Sequence, residues 1–250
     1  MTRILLLGGT TEASALARTL AEADADAVFS YAGRTAKPVS QPLPTRVGGF
    51  GGAEGLAAYL GDEGITHVVD ATHPFAAQMS TNAVQACTTA GVALCGYERP
   101  PWQAGAGDEW LHATSIDAAV DALPDSPARV FLAIGKQNLS QFAVKPQHHY
   151  LLRLVDQPDA PLPLPQTMVE IARGPFDVAG DTSLMQRHAI THVVAKNAGG
   201  TGAHAKLTAA RNLNLPVIMI GRPELSAKAG QRPVLGSVEE VMAWLSHRSD

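Results

Sequence analysis

Short, continuously apolar runs alternating with amphipathic helical stretches constrain this chain more than any single residue does. Ile4–Leu7, Val28–Tyr31, His67–Asp70 and Val92–Cys95 read as strands, as do Arg129–Ile134, Tyr150–Val155, Met168–Ala172, His192–Ala195 and Val217–Ile220. Such runs suit strands buried on both faces. Helical patterns fall between them near Thr11–Ala23, Ala53–Leu60, Phe75–Ala90, Asp117–Leu123, Asp177–His188, Ala203–Leu213 and Val238–His247. The last is opened by the capping-box pair Ser237 and Glu240. Strands separated by helices imply crossover connections, hence an α/β chain in which each domain is a mostly parallel sheet flanked by helices.

The stretch GYERPPWQAGAG, Gly96–Gly107, breaks the alternation with two prolines, three glycines and a tryptophan expected to be exposed. It predicts an N-terminal domain over 1–96, a connector over 97–107 and a C-terminal domain over 108–250. With 46% hydrophobic and 17% charged residues the chain can bury a core and is not disordered. The net charge of −4 argues against general binding to nucleic acid or an anionic membrane. Cys87 and Cys95 form neither a C-x-x-C pair nor a disulfide framework. The apolar run at the N-terminus is too brief for a signal peptide and no run reaches membrane-spanning length, so the expected location is the cytoplasm.

Two glycine-rich turns suggest nucleotide chemistry. In ILLLGGTTEASALA a strand delivers Gly8 and Gly9, and Thr10 and Thr11 stand at a helix start, where free N–H groups and the helix dipole favour a pyrophosphate. Ala13 stands where a third glycine would complete G-x-G-x-x-G. The second strand ends 25 to 26 residues after Gly8, at Gly33-Arg34. An arginine there accommodates a 2′-phosphate, whereas a carboxylate would select the unphosphorylated dinucleotide. In the second turn, Gly200-x-Gly202-x-x-Ala205 fits a looser dinucleotide pattern, and Gly221-Arg222 echoes Gly33-Arg34, so the cofactor's half stays open. Lys196, Asn197, Thr201, His204 and Lys206 read together as a pocket for carboxylates or phosphates.

The third strand ends in VVDATHPFAAQ, placing Asp70, Thr72 and His73 at the carboxyl end of a parallel strand, where ligands gather. These residues face a ligand, or else Thr72 caps the following helix and His73 packs. There is no H-E-x-x-H, G-x-S-x-G or zinc-spaced cysteine set, so no metal site is expected. Adjacent His148 and His149 point to opposite strand faces and make a poor chelate.

ILLLGGTTEA, SYAGRT, the Gly48–Leu56 segment GGFGGAEGL, DATHPFA, YERPPW, KNAGG and PVIMIGRP, in this order, resemble the precorrin-6A reductases of cobalamin biosynthesis. The resemblance implies two Rossmann-like α/β domains with the active site in the cleft between them. It implies an NADPH-dependent oxidoreductase converting precorrin-6A to precorrin-6B by hydride delivery from nicotinamide C4 to the C18–C19 region. Gly8, Gly9, Thr10, Thr11, Gly33, Arg34, Gly49, Phe50 and Thr72 are then the expected cofactor contacts. Asp70 and His73 would position the reactants or donate a proton, for which water is the other source. Tyr97, Arg99, Lys136, Lys196, Asn197, Thr201, His204 and Lys206 would meet the acetate and propionate groups of the tetrapyrrole. Hand-over contacts with other enzymes of the pathway are a further expectation. A non-catalytic NADPH-sensing module, or less favourably a nucleotide-sugar transferase, are the alternatives the residues leave open.

Overall fold

The computed structural model describes residues 2–33, 38–224 and 232–247. The chain forms two compact units, 1–100 with 224–250, and 101–223. The first contains β1 (Ile4–Leu7), α1 (Thr11–Glu22), β2 (Ala27–Tyr31), β3 (Thr45–Val47), α2 (Gly52–Asp62), β4 (His67–Asp70), α3 (Ala77–Ala90) and β5 (Ala93–Tyr97). The second contains β6 (Trp110–Ala113), α4 (Ile116–Asp121), β7 (Arg129–Ala133), a 3-10 helix (Leu139–Val144), β8 (His149–Leu154), β9 (Thr167–Ile171), α5 (Val178–Arg187), β10 (His192–Lys196), α6 (Ala205–Asn212) and β11 (Val217–Ile220). The chain then returns to the first unit with β12 (Val234–Leu235) and α7 (Val238–His247).

Each unit is built on an all-parallel six-stranded sheet, in the orders β12-β5-β4-β1-β2-β3 and β6-β11-β10-β7-β8-β9. This is the doubly wound Rossmann arrangement, with the order reversing at β1/β4 and at β7/β10. Alternation along β1 shows how helices cover both faces. Ile4 and Leu6 meet Leu16 and Leu20 of α1 and Val241 and Leu245 of α7, whereas Leu5 and Leu7 meet Leu56 and Leu60 of α2 and Ala83 and Cys87 of α3. Buried Ala13, Leu16, Ala17 and Leu20 fall on one stripe of α1.

The units divide at 100/101, inside the expected connector, but the sixth strand overturns the expected end of the C-terminal domain. β12 lies beside β5, with Gly96 N–H donating to Pro233 O (2.8 Å) and Glu98 N–H to Leu235 O (2.9 Å). Residues 232–247 therefore do not belong with the C-terminal domain, although the second unit fills its own sixth place with β6, from the start of that domain. Nor is 97–107 a plain connector: Tyr97 ends β5, and Trp102, expected to be exposed, is only 9% exposed in the core of the second unit. β3, β6 and β12 are short edge strands with exposed positions and no continuous apolar run to announce them.

Candidate functional site

In the first unit the loops after β1, β4 and β5 meet at the carboxyl ends of their strands. Thr10 caps α1, its hydroxyl accepting from Ala13 N–H (3.1 Å) and donating to Ala71 O (2.8 Å), which ties the glycine turn to the turn after β4. A Cβ on Gly8 would lie 2.0 Å from the Phe29 ring, so only glycine lets the turn close over β2. Gly9 has φ +121° and nothing within 4 Å of the place a Cβ would take. That leaves open space beside the start of a 12-residue helix. A glycine-cleared helix start of this kind fits a dinucleotide's pyrophosphate. Thr11 is exposed and its hydroxyl bonds Glu12 (3.0 Å).

Asp70 is 1% exposed. Its Oδ1 accepts from the Thr72 N–H (3.2 Å) and hydroxyl (2.7 Å), and its Oδ2 from Arg232 Nη1 (2.6 Å). Arg232 also donates to Glu98 (2.8 Å) and lies against Gly96, where a Cβ would come within 2.8 Å of the guanidinium carbon. Thr72 therefore does not cap α3, which begins only at Ala77. Its hydroxyl is committed to Asp70, and a turn from His73 to Ala76 intervenes. His73 is exposed and its Nδ1 accepts from Phe75 N–H (3.2 Å), which leaves the ring proton on Nε2.

Thr10, Glu12, Thr72, Pro74, Tyr97, Glu98 and Arg99 line one narrow crevice. Arg99 is ion-paired there with Glu12. Tyr97 is buried, and burial, followed by Glu12 and Glu239, pushes its phenol above the usual range. On the other side of β1, Gly33 (φ +75°) sits against Gly48. Arg34 lies outside the described residues. Arg46, which the motifs did not single out, donates to Ser30 Oγ (2.8 Å), Gly48 O (3.0 Å) and Gly49 O (3.3 Å), with its guanidinium 3.8 Å from the Phe50 ring centroid. It fixes the Gly49-Phe50 turn.

In the second unit, Lys136 follows β7 and Lys196 ends the neighbouring β10. Lys136 is exposed. Asn197 and Lys206 are scaffold. The Asn197 side chain accepts from Trp102 N–H (2.7 Å) and donates to Trp102 O (2.9 Å), while Trp102 Nε1 donates to Gly200 O (2.7 Å). Lys206 is 4% exposed, donates to Ala203 O (2.5 Å) and places its Nζ 4.8 Å from the Trp102 ring centroid. Thr201 and His204 line a cavity of about 640 Å³ together with Trp102, Phe176, Asp177 and Thr208. YERPPW held the only sequence signal for Trp102, and nothing marked Phe176.

Strand order separates the two glycine-rich turns. Gly8-Gly9 follows β1, the first central strand, whereas Gly200-x-Gly202 follows β10, which stands where β4 does. Gly221-Arg222 likewise follows β11, the counterpart of β5, and so does not echo Gly33-Arg34, which follows β2. The true counterpart of the first turn is Gly135-Lys136, which leads into the 3-10 helix.

Residues 3–246 match the family model described as precorrin-6x reductase CbiJ/CobK. The precorrin-6A reductase of Rhodobacter capsulatus is 65% identical over 246 residues, 98% of this chain and 96% of that protein. That of a Sinorhizobium species is 48% identical, covering 98% and 93%. A solved structure of CobK precorrin-6A reductase matches with TM-score 0.94 and 64% identity, over 99% of this chain and 97% of that one.

Proposed function

This chain belongs to the precorrin-6x reductase family, and from that premise we propose that it reduces precorrin-6A to precorrin-6B in the cytoplasm, with NADPH as reductant. When bound, NADPH supplies the hydride for one unsaturated C=C/C=N unit of the macrocycle at C18–C19. The carrying observation is the turn Gly8–Thr11: open space at Gly9, a capped 12-residue helix, and a place at the β1/β4 reversal. Its counterpart after β7 leads into a 3-10 helix instead.

On this reading Gly8, Gly9, Thr10 and Thr11 hold the pyrophosphate, Gly33 and Arg34 the 2′-phosphate, and Gly49 and Phe50 the adenosine side. Thr72 orients the nicotinamide end, and Asp70 positions Thr72. Asp70 is spent as an acceptor from Arg232 and Thr72, so the proton required by the reduced macrocycle comes from His73, on an exposed ring, or from water. Arg99, neutralised by Glu12, shapes the crevice, and Lys136, Lys196, Thr201 and His204 meet substrate carboxylates.

Titration with NADPH and NADH, followed by a spectral assay with precorrin-6A, tests this reading. NADPH should bind at least tenfold more tightly, and Arg34→Ala should remove the preference. Equal binding of both cofactors by the intact protein would refute the 2′-phosphate role. Failure to oxidise NADPH with precorrin-6A would refute the reductase.

A further inference from the structure

The cavity of the second unit has two aromatic walls, each fixed from outside by a cation. Phe176 lies on the Arg153 guanidinium, 3.5 Å from centroid to Cζ, and Arg153 is itself held by an ion pair with buried Asp181. Trp102 is fixed through both backbone groups and its indole N–H, with Lys206 4.8 Å from its ring. His204 packs edge-on to Trp102 at 5.9 Å, and Thr208 Oγ1 lies 3.4 Å from its Nδ1. Asp177, the one carboxylate among the lining residues, accepts from Gly180 N–H (2.8 Å) as the cap of α5.

A cation against an aromatic ring draws π density towards itself. The remaining ring surface then favours an electron-rich conjugated partner, and walls held in advance reduce the ordering cost of binding. At about 640 Å³ the cavity is of ordinary small-molecule size. The Thr201 hydroxyl and His204 ring on its lining can bond carboxylates. We propose that this cavity is the stacking subsite for one edge of the conjugated, polycarboxylated macrocycle, with Phe176 and Trp102 as its platforms. The proposal deepens the tetrapyrrole reading and rests on it.

Uroporphyrin, a conjugated polycarboxylate, serves as a binding probe beside NADPH. Phe176 is only partly buried and lies in a loop, so its substitution leaves the core intact. Phe176→Ala should weaken uroporphyrin binding and raise the KM for precorrin-6A by about tenfold each, with NADPH affinity within about twofold of wild type. Phe176→Tyr should restore most of the loss and Phe176→Leu less, because leucine replaces area but not the π face. Unchanged uroporphyrin affinity in Phe176→Ala would overturn the proposal, as would a loss confined to NADPH. Wild-type turnover of precorrin-6A judges the reductase reading separately, since the porphyrin titration does not depend on it.

Discussion

The two units share one strand order and differ most at the first crossover. After β1 the chain passes through Gly8-Gly9 into a helix of 12 residues with a threonine cap. After β7 it passes through Gly135-Lys136 into a six-residue 3-10 helix whose entry, Asn138, has φ 66° and makes no side-chain cap bond. A long capped helix presents aligned N–H groups and a dipole, and a short 3-10 turn offers little of either. The same topology thus carries a capped helix start with open space at its glycine in one half and, in the other, an aromatic-walled cavity displaced to the loops after β9 and β10.

Both units anchor a charged pair at this end of the sheet, and the largest expected effect lies there. Arg232 is ion-paired with Asp70 at 2.6 Å, and both are almost fully buried. Arg232→Met strands the Asp70 carboxylate and should destabilise the first unit by about 3–5 kcal/mol. Hydrogen exchange resolved by peptide should show lost protection in β1, β4 and β5 with β7 and β10 unaffected. Equal loss in both units would break the division into separately stabilised cores. Adding Asp70→Asn should recover part of the cost.

The glycines of the two crossovers differ in kind. At Gly8 a methyl would sit 2.0 Å from the fully buried Phe29 ring, whereas at Gly135 (φ +75°) it would meet nothing within 4 Å. Gly8→Ala should therefore cost about 3 kcal/mol through overpacking. Gly135→Ala should cost about 1 kcal/mol through backbone conformation alone. Thermal melting of the two variants checks the ordering, and a larger loss at Gly135 would contradict it.

What the sequence disclosed follows the same contrast. The central strands, the helices between them and the turn Gly8–Thr11 are local features, written in apolar runs and glycine spacing. DATHPFA pointed correctly to a loop at a strand's carboxyl end, but not to the partner of Asp70, because Arg232 lies 162 positions away and arrives with a strand from the chain's end. The same non-local return took the chain's end out of the expected C-terminal domain 108–250, while the break between the units at 100/101 falls inside the expected 97–107 connector. Lys206 and Asn197 carried the chemistry of ligand contacts, yet burial turned both inward to hold Trp102. Residue type alone could not separate a side chain facing a ligand from one facing a neighbouring wall.

Trp102 supplies the third expected effect. Its backbone N–H and C=O are both satisfied by the Asn197 amide. Asn197→Ala leaves a buried donor and acceptor without partners and should cost about 2 kcal/mol. The second unit should lose protection and macrocycle affinity together, while NADPH affinity stays at the wild-type value. A parallel fall in NADPH affinity would undo the assignment of different ligands to the two units.

The smallest effect is a difference in acid sensitivity. Fully buried His148 has its pKa lowered from 6.5, first by burial and then by Lys145 and His192, with Asp125 and a Pro124 contact opposing, and burial lowers His192 as well. The Nδ1 of His148 accepts from Ala128 N–H (3.1 Å), so protonation there would set a donor against a donor. A histidine whose folded pKa is depressed contributes fully above its unfolded value. That contribution is lost as the pH falls below about 6.5 towards the folded value, because the unfolded chain binds more protons in that window. The cost is at most about 1.4 kcal/mol per pH unit for each histidine. Between pH 7.5 and 5.5, exchange protection in β7 and β8 should therefore fall more than in β2 and β3, which carry no histidine, after correction for intrinsic exchange. His148→Asn, which keeps an acceptor but does not titrate, should flatten the difference. If protection in β7 and β8 fell equally steeply in that variant, the acid sensitivity would belong to some other group.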